Sequence, residues 1–179
     1  MVTIHSFGQI NMIKNVILDL DHTLILAFNK TELRRHGCAV SDTLKMHFFE
    51  PFVIFERPGL ARFLKQLSSE YVVSVWTAGT EEYGQFIINT IIAPHLTTPL
   101  KLFLHSKQCD VSLQRFGLLK HLNLLYAHFP DFTRENTVLI DDNPEVQQQD
   151  NHVILIKQFS LNPCDRSLAA VYRKIKNLE

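Results

Sequence analysis

Three apolar runs in this chain stop at side chains that carry oxygen: Val16-Ile17-Leu18 at Asp19, Tyr71 to Trp76 at Thr77, and Thr137 to Ile140 at Asp141. Short apolar runs bounded by polar residues read as buried strands. Strands apolar on both faces belong to parallel sheets covered by helices. The intervening segments have helical spacing, with Leu60, Phe63, Leu64 and Leu67 after Pro58 and with Leu118, Leu119, Leu122, Leu125 and Phe129 before Pro130. This alternation predicts an α/β fold: a mostly parallel central sheet with helices on both faces. Ligands in such folds bind beyond the carboxyl ends of the strands. The three runs would therefore present Asp19, Asp21, Thr77, Asp141 and Asp142 along one edge.

The spacing places strands at Val16–Leu20, Phe52–Phe55, Tyr71–Trp76, Lys101–Leu104, Thr137–Ile140 and Val153–Ile156. Residues 24–52 are mixed and polar, and are read as a small flap outside the core. Pro58 is expected as the first residue of a helix. Thr80 should cap a helix that carries Glu81 and Glu82 in its first turn and stops before Pro94. Asp141-Asp142-Asn143-Pro144 reads as a turn, and Asp165 as the cap of a final helix bearing Leu168, Val171, Tyr172 and Ile175.

A chain of 179 residues with 46% apolar composition is sized for one domain, taken here as 1–179. Eighteen basic and eighteen acidic residues cancel, so no global charge favours nucleic acid. Cys38, Cys109 and Cys164 are odd in number and lack C-x-x-C spacing, which predicts free thiols and a reducing compartment, cytoplasmic or nuclear. No stretch has the length of a transmembrane segment or a signal peptide, which predicts a soluble protein; a signal-independent secretion route would leave no such trace.

Asp19 and Asp21 are two apart and emerge on one face of an extended chain. One carboxylate can attack phosphorus while the other manages the leaving-group proton. A divalent cation is needed before a phosphate dianion can approach the pair. Unit charges 4 Å apart interact by roughly 4 kcal/mol at an effective dielectric near 20, so four converging aspartates would repel the substrate unless a metal and an ammonium offset them.

The segments Leu18-Asp19-Leu20-Asp21-His22-Thr23-Leu24, Arg57-Pro58-Gly59-Leu60 with Phe63-Leu64, Trp76-Thr77-Ala78-Gly79 with Tyr83, and Ile140-Asp141-Asp142-Asn143-Pro144 occur in one order. Together they resemble the haloacid dehalogenase superfamily, and within it the C-terminal-domain phosphatase branch of FCP/SCP or NLI-interacting-factor type. That resemblance implies a Rossmann-like haloacid dehalogenase fold. It implies Asp19 as the nucleophile that becomes an aspartyl-phosphate, and Asp21 as general acid and then general base. It also implies phosphate binding by Thr77, Ala78, Gly79 and Lys120, and Mg²⁺ held by Asp19, the Asp21 carbonyl and Asp142. Asp141 would orient the lysine. Lys120 fits that lysine by position, about twenty residues before Asp141, with Lys107 as the runner-up.

The two places where this superfamily inserts a cap, 23–52 and 92–120, are too short for a large lid. An open site favours a phosphate displayed on a macromolecule, and the resemblance implies a phosphoprotein bearing phosphoserine, phosphothreonine or phosphotyrosine. The alternatives are a small-molecule or nucleic-acid 3′-phosphatase of the same superfamily, and an inert scaffold that binds phosphopeptides. A cysteine mechanism is also conceivable, since Cys109 and Arg115 stand in C-x-x-x-x-x-R spacing. The intervening Asp110-Val111-Ser112-Leu113-Gln114 has no glycine and places an acid where an anion would sit.

Overall fold

The computed structural model describes residues 13–36, 43–109, 120–147 and 152–178. Its centre is β1 (Asn15–Leu18), whose four residues are all buried. It pairs in parallel with β5 (Val72–Trp76) and β7 (Thr137–Asp141). β6 (Phe103–Leu104) and β8 (Val153–Leu155) extend the two sides, giving the order β6-β5-β1-β7-β8. In β1, Val16 and Leu18 point into one core and Ile17 into another, as strand alternation requires.

The first core receives α2 (Leu60–Glu70), α3 (Glu81–Ile87) and α6 (Ser167–Lys176); the second receives α4 (Leu122–His128) and α5 (Pro144–Gln147). Leu60, Phe63, Leu64 and Leu67 of α2 are buried at the predicted spacing. Each such side chain contributes about 1.5–3 kcal/mol by leaving water. Trp76, whose direction the sequence leaves open, lies in the second core with Ile17 and Leu104.

Several boundaries differ from the sequence reading, each for a local reason. β1 stops at Leu18, because the amides of Leu24 and Ile25 both bond back to the Leu20 carbonyl and turn the chain away from the sheet. α2 begins one residue beyond Gly59, which occupies the cap position at φ 82°, a left-handed conformation where glycine meets no Cβ penalty. Pro58 precedes that cap. The Thr80 hydroxyl accepts from the Tyr83 amide as expected, but after α3 the chain continues through a wide turn at Ile88–Ile92 and a tight one at Ala93–His95, carrying Pro94 within it. Asp165 stands one residue outside the cap position of α6, yet its Oδ1 still accepts from the Ser167 amide at 2.7 Å. Leu118 and Leu119 lie outside the described residues.

The flap is more structured than its polar composition implied. β2 (Ile25–Asn29), α1 (Lys30–His36), β3 (Met46–Phe49) and β4 (Phe52–Glu56) build a three-stranded antiparallel sheet in the order β2-β4-β3. Ile25 and Ile54 join the first core, while Leu26, Phe28, Val53 and Phe55 enclose Phe159 in a small core of their own. The strand predicted at Phe52–Phe55 thus belongs to this second sheet.

Candidate active site

Parallel register brings the three strand ends level. Leu18 faces Val75 on one side and Ile140 on the other, so the next residue, Asp19, stands beside Asp141 and Trp76. The Asp19 amide still bonds to the Ile140 carbonyl at 3.0 Å, which fixes the carboxylate at the rim of the sheet. Asp19, Asp141 and Asp142 each offer a carboxylate oxygen, and these atoms lie within 4.8 Å of one another.

Lys120 sits in that cluster, 4% exposed, with its ammonium donating to Asp19 Oδ1 and, at 2.7 Å, to Asp141 Oδ2. Burial alone would push the ammonium down, but the two carboxylates more than offset it and hold Lys120 above the ordinary lysine range. Lys107 lies elsewhere: its side chain is 75% exposed and pairs with Glu81 at 3.4 Å. Burial pushes the Asp19 carboxyl up to about 7 against the pull of Lys120, with Asp141 adding to the rise.

Asp21 is turned differently. Its Oδ1 accepts from the Tyr83 hydroxyl at 2.7 Å. Burial raises Asp21 although the Tyr83 bond opposes it, and burial with the Asp21 charge drives the Tyr83 phenol far up, so Tyr83 acts as the donor. The Tyr83 ring is packed by Phe49 and Phe52 of the flap, at centroid distances of 5.8 and 5.7 Å. On its other side a Cβ added at Gly79 would lie 2.9 Å from Tyr83 Cδ1. Gly79 thus leaves room for the ring. Its amide donates to Thr77 Oγ1 at 3.0 Å, so Thr77 and the Ala78–Gly79 turn form a closed loop in this state.

Asp142 is held by two groups that the sequence reading gave no part. Thr23 Oγ1 donates to its Oδ1 at 3.2 Å, and Gln158 Nε2 donates to its Oδ2 at 2.8 Å. Nothing in the pattern around Gln158 marks it, whereas Thr23 closes the Asp-x-Asp-x-Thr motif. His22 within that motif has φ 60°, so its backbone rather than its imidazole turns the chain. Arg57, read from sequence as part of a helix start, is 1% exposed and reaches the same loop. It donates to the carbonyls of Thr23 and Lys157 at 2.8 and 2.6 Å and clasps Asp165 through both carboxylate oxygens.

The oxygens of Asp19 and Asp142, with Asp141 beside them holding Lys120, form a donor set suited to a hard divalent cation such as Mg²⁺. The Cys109 thiol is 5% exposed and pushed up by burial, the reverse of what a thiolate nucleophile needs. Arg115 lies outside the described residues.

A parallel sheet whose central strand ends in paired aspartates beside a buried lysine is the architecture of haloacid dehalogenase-like phosphatases. A sequence-family model of NLI interacting factor-like phosphatases matches residues 14–179. The chain is 33% identical over 159 residues to the CTD phosphatase-like protein 355R of Invertebrate iridescent virus 3, covering 83% of this chain and 86% of that one. It is 25% identical over 145 residues to an RNA polymerase II C-terminal domain phosphatase of Encephalitozoon cuniculi, spanning 80% of this chain and 31% of the relative. The solved structure of fission yeast RNA polymerase II CTD phosphatase Fcp1 bound to beryllium fluoride shares the fold at TM-score 0.62 and 20% identity. That match covers 94% of this chain and 51% of the yeast chain, so this protein spans about half its length. The chain belongs to the NLI interacting factor-like phosphatase family and is a hydrolase of phosphate monoesters. Among the described residues no helix is long and apolar enough to cross a membrane.

Proposed function

We propose that the protein is a Mg²⁺-dependent protein phosphatase working through an aspartyl-phosphate on Asp19. The observation that carries this reading is the buried Lys120 ammonium between Asp19 and Asp141 at the sheet edge, with Asp21 oriented separately by Tyr83. In the first step an Asp19 oxygen bonds to phosphorus as the phosphorus–oxygen bond to the substrate breaks. Asp21 gives its proton to the departing alkoxide or phenoxide. In the second step Asp21 takes a proton from water, whose oxygen bonds to phosphorus, and the Asp19–phosphorus bond breaks to release inorganic phosphate. Splitting one displacement into two lowers each barrier.

Lys120 offsets charge on Asp19 and on a phosphoryl oxygen, and Asp141 keeps the ammonium in place. The Thr77 hydroxyl and the amides of Ala78 and Gly79 would hold the remaining oxygens, which requires Thr77 to release the Gly79 amide. Asp19, Asp142 and the Asp21 carbonyl would hold Mg²⁺, which would supply positive charge that favours the ionised form of Asp19 and shields the incoming dianion. Thr23 and Gln158 keep both Asp142 oxygens directed.

The proposed substrate is phosphoserine, phosphothreonine or phosphotyrosine in a polypeptide. The relatives named as C-terminal-domain phosphatases favour it. The test is a parallel panel of phosphopeptides, sugar phosphates and 3′-phosphorylated oligonucleotides at one Mg²⁺ concentration. Phosphopeptides turned over no better than the other two classes would sink the substrate assignment. An active Asp19→Asn variant would sink the mechanism.

A further inference from the structure

Helix α2 runs along a concave strip of three open cavities, of about 390, 460 and 490 Å³, and Arg62 lines all of them. The first lies between α2 and α6, over Phe63, Leu168 and Tyr172, with Arg166 and Arg173 at its rim. The second extends past Pro58 and Gly59 to Lys45, and the third past Lys65 to His95. None of the three is lined by an aspartate of the catalytic edge.

Charge is strongly segregated here. The strip is lined by six cations, namely Lys45, Arg57, Arg62, Lys65, Arg166 and Arg173, against two carboxylates, Glu56 and Asp165. Both carboxylates are already engaged: Asp165 by Arg57 at 2.9 Å, and Glu56 by His47 at 2.8 Å and Lys45 at 3.7 Å. Arg62, Lys65, Arg166 and Arg173 are exposed and form no ion pair with a carboxylate among the described residues. In a chain whose formal charges cancel, this is a local excess of cations without internal counter-charge. Such an excess raises the local concentration of anionic partners and their rate of arrival.

The strip also has a defined relation to the site. Arg57, at its inner end, bonds to the carbonyls of His22 and Thr23, the two residues that follow Asp21. Arg57 thus ties the floor of the strip to the loop that follows Asp21, which sets the strip beside the segment that carries the paired aspartates. We propose that the groove along α2 and α6 docks an acidic segment of the polypeptide substrate, Asp/Glu-rich or phosphorylated at further positions, outside the aspartate site. The guanidinium groups of Arg62, Arg166 and Arg173 pair with its carboxylates or phosphates, and the half-buried ring of Tyr172 supplies apolar contact between them. This inference rests on the phosphoprotein reading above. It adds a source of selectivity that the aspartate edge, built to recognise phosphate alone, does not provide.

The experiment compares two phosphopeptides identical around the phosphate, one with a Glu-rich flank and one with a neutral flank, alongside p-nitrophenyl phosphate. The wild-type protein should favour the acidic flank by about 10-fold in kcat/KM, mostly through KM and less at high salt, as exposed charge pairs do. Arg62→Glu with Arg173→Glu should abolish or invert that preference and leave p-nitrophenyl phosphate turnover within about 2-fold, since neither residue touches the reacting groups. Equal turnover of both peptides by the wild type, or an unchanged preference in the variant, overturns the proposal. If the charge-reversed protein fails to fold, Arg62→Gln with Arg166→Gln tests the same prediction. If the aryl phosphate is hydrolysed but neither peptide is, the phosphoprotein reading fails instead. The groove is then judged by titrating a labelled, unphosphorylated Glu-rich peptide, whose binding should weaken by about 10-fold in the variant. Tighter binding of an RNA oligonucleotide than of that peptide through the same arginines would replace the polypeptide occupant.

Discussion

Replacing Arg57 with methionine should unfold the join between the two sheets more readily than any surface change, and the cost can be worked from its partners. The guanidinium uses Nε and Nη2 to hold the two oxygens of Asp165 at 3.1 and 2.9 Å, Nη2 again for the Lys157 carbonyl, and Nη1 for the Thr23 carbonyl. It also lies 5.5 Å from the centre of the Phe159 ring, the residue at the middle of the flap's own core. Methionine fills much of the volume but donates nothing. Removing one partner of a buried ion pair costs about 3–5 kcal/mol, mostly from the charge left behind. Asp165 lies towards the surface and recovers part of its hydration, which puts the loss near the lower figure, about 3 kcal/mol. For a protein of this size that corresponds to a fall in Tm of roughly 6–12 °C.

Urea unfolding at neutral pH, followed by circular dichroism, measures this loss directly. Arg57→Lys should be nearly as damaging, because one ammonium cannot serve a bidentate carboxylate and two carbonyls. Adding Asp165→Asn to the methionine variant should return about 1 kcal/mol by removing the orphaned charge. The pH dependence follows from Asp165: burial tends to raise its pKa, but the Arg57 and Ser167 bonds outweigh that and leave it below the ordinary 3.8. The pair's contribution is therefore complete above about pH 4 and disappears as pH falls through the lowered folded-state value. The methionine variant should lack that acid-side slope. A loss of less than about 1 kcal/mol, or full stability in Arg57→Lys, would refute this account of the clamp.

Mg²⁺ at a hundred times its dissociation constant should stabilise the folded protein by about 2.7 kcal/mol, read as a higher Tm, and Asp142→Asn should remove most of that shift. Activity that survives complete chelation of divalent ions would contradict the proposed role of the cluster. Lys120→Ala should lose activity by several orders of magnitude while Lys107→Ala stays near wild type, which steady-state assays of an aryl phosphate distinguish. Cys109→Ser should keep its turnover where Asp19→Asn does not. Tyr83→Phe frees the Asp21 carboxyl, so it should slow phenyl phosphate, whose leaving group needs a proton, by about 10–100-fold more than 2,4-dinitrophenyl phosphate. Equal slowing of both substrates would make Tyr83 a packing residue only.

Much of the architecture was legible in one dimension because its causes are local. The runs at 16–18, 71–76 and 137–140 are strands because continuous apolar character leaves no solvated face, and strands covered on both sides stack in parallel with their carboxyl ends aligned. That alignment is enough to bring Asp19, Asp141 and Asp142 to one edge, and the order of the motifs was enough to indicate the family. The register that stands Asp19 beside Asp141 adds only a hydrogen-bonding rule to that pattern.

What tertiary structure alone decided concerns side chains that are far apart in sequence and whose direction no periodicity fixes. Lys120 and Lys107 were both admissible by position; Lys107 sits in the short turn after β6 and reaches Glu81, whereas Lys120, just before α4, is enclosed by carboxylates. The Tyr83 hydroxyl finds Asp21 across 62 residues, through space that Gly79 leaves open and aromatic rings from the flap close. The flap looked peripheral because polar residues dominate its composition, yet its alternate residues face inward and bury Phe159. Arg57 carries no local sign of its reach to Asp165, 108 residues away. Hydrophobic periodicity specifies which face of an element is buried, whereas a buried polar contact needs two elements at a defined height and angle, and those are set only when the whole core packs.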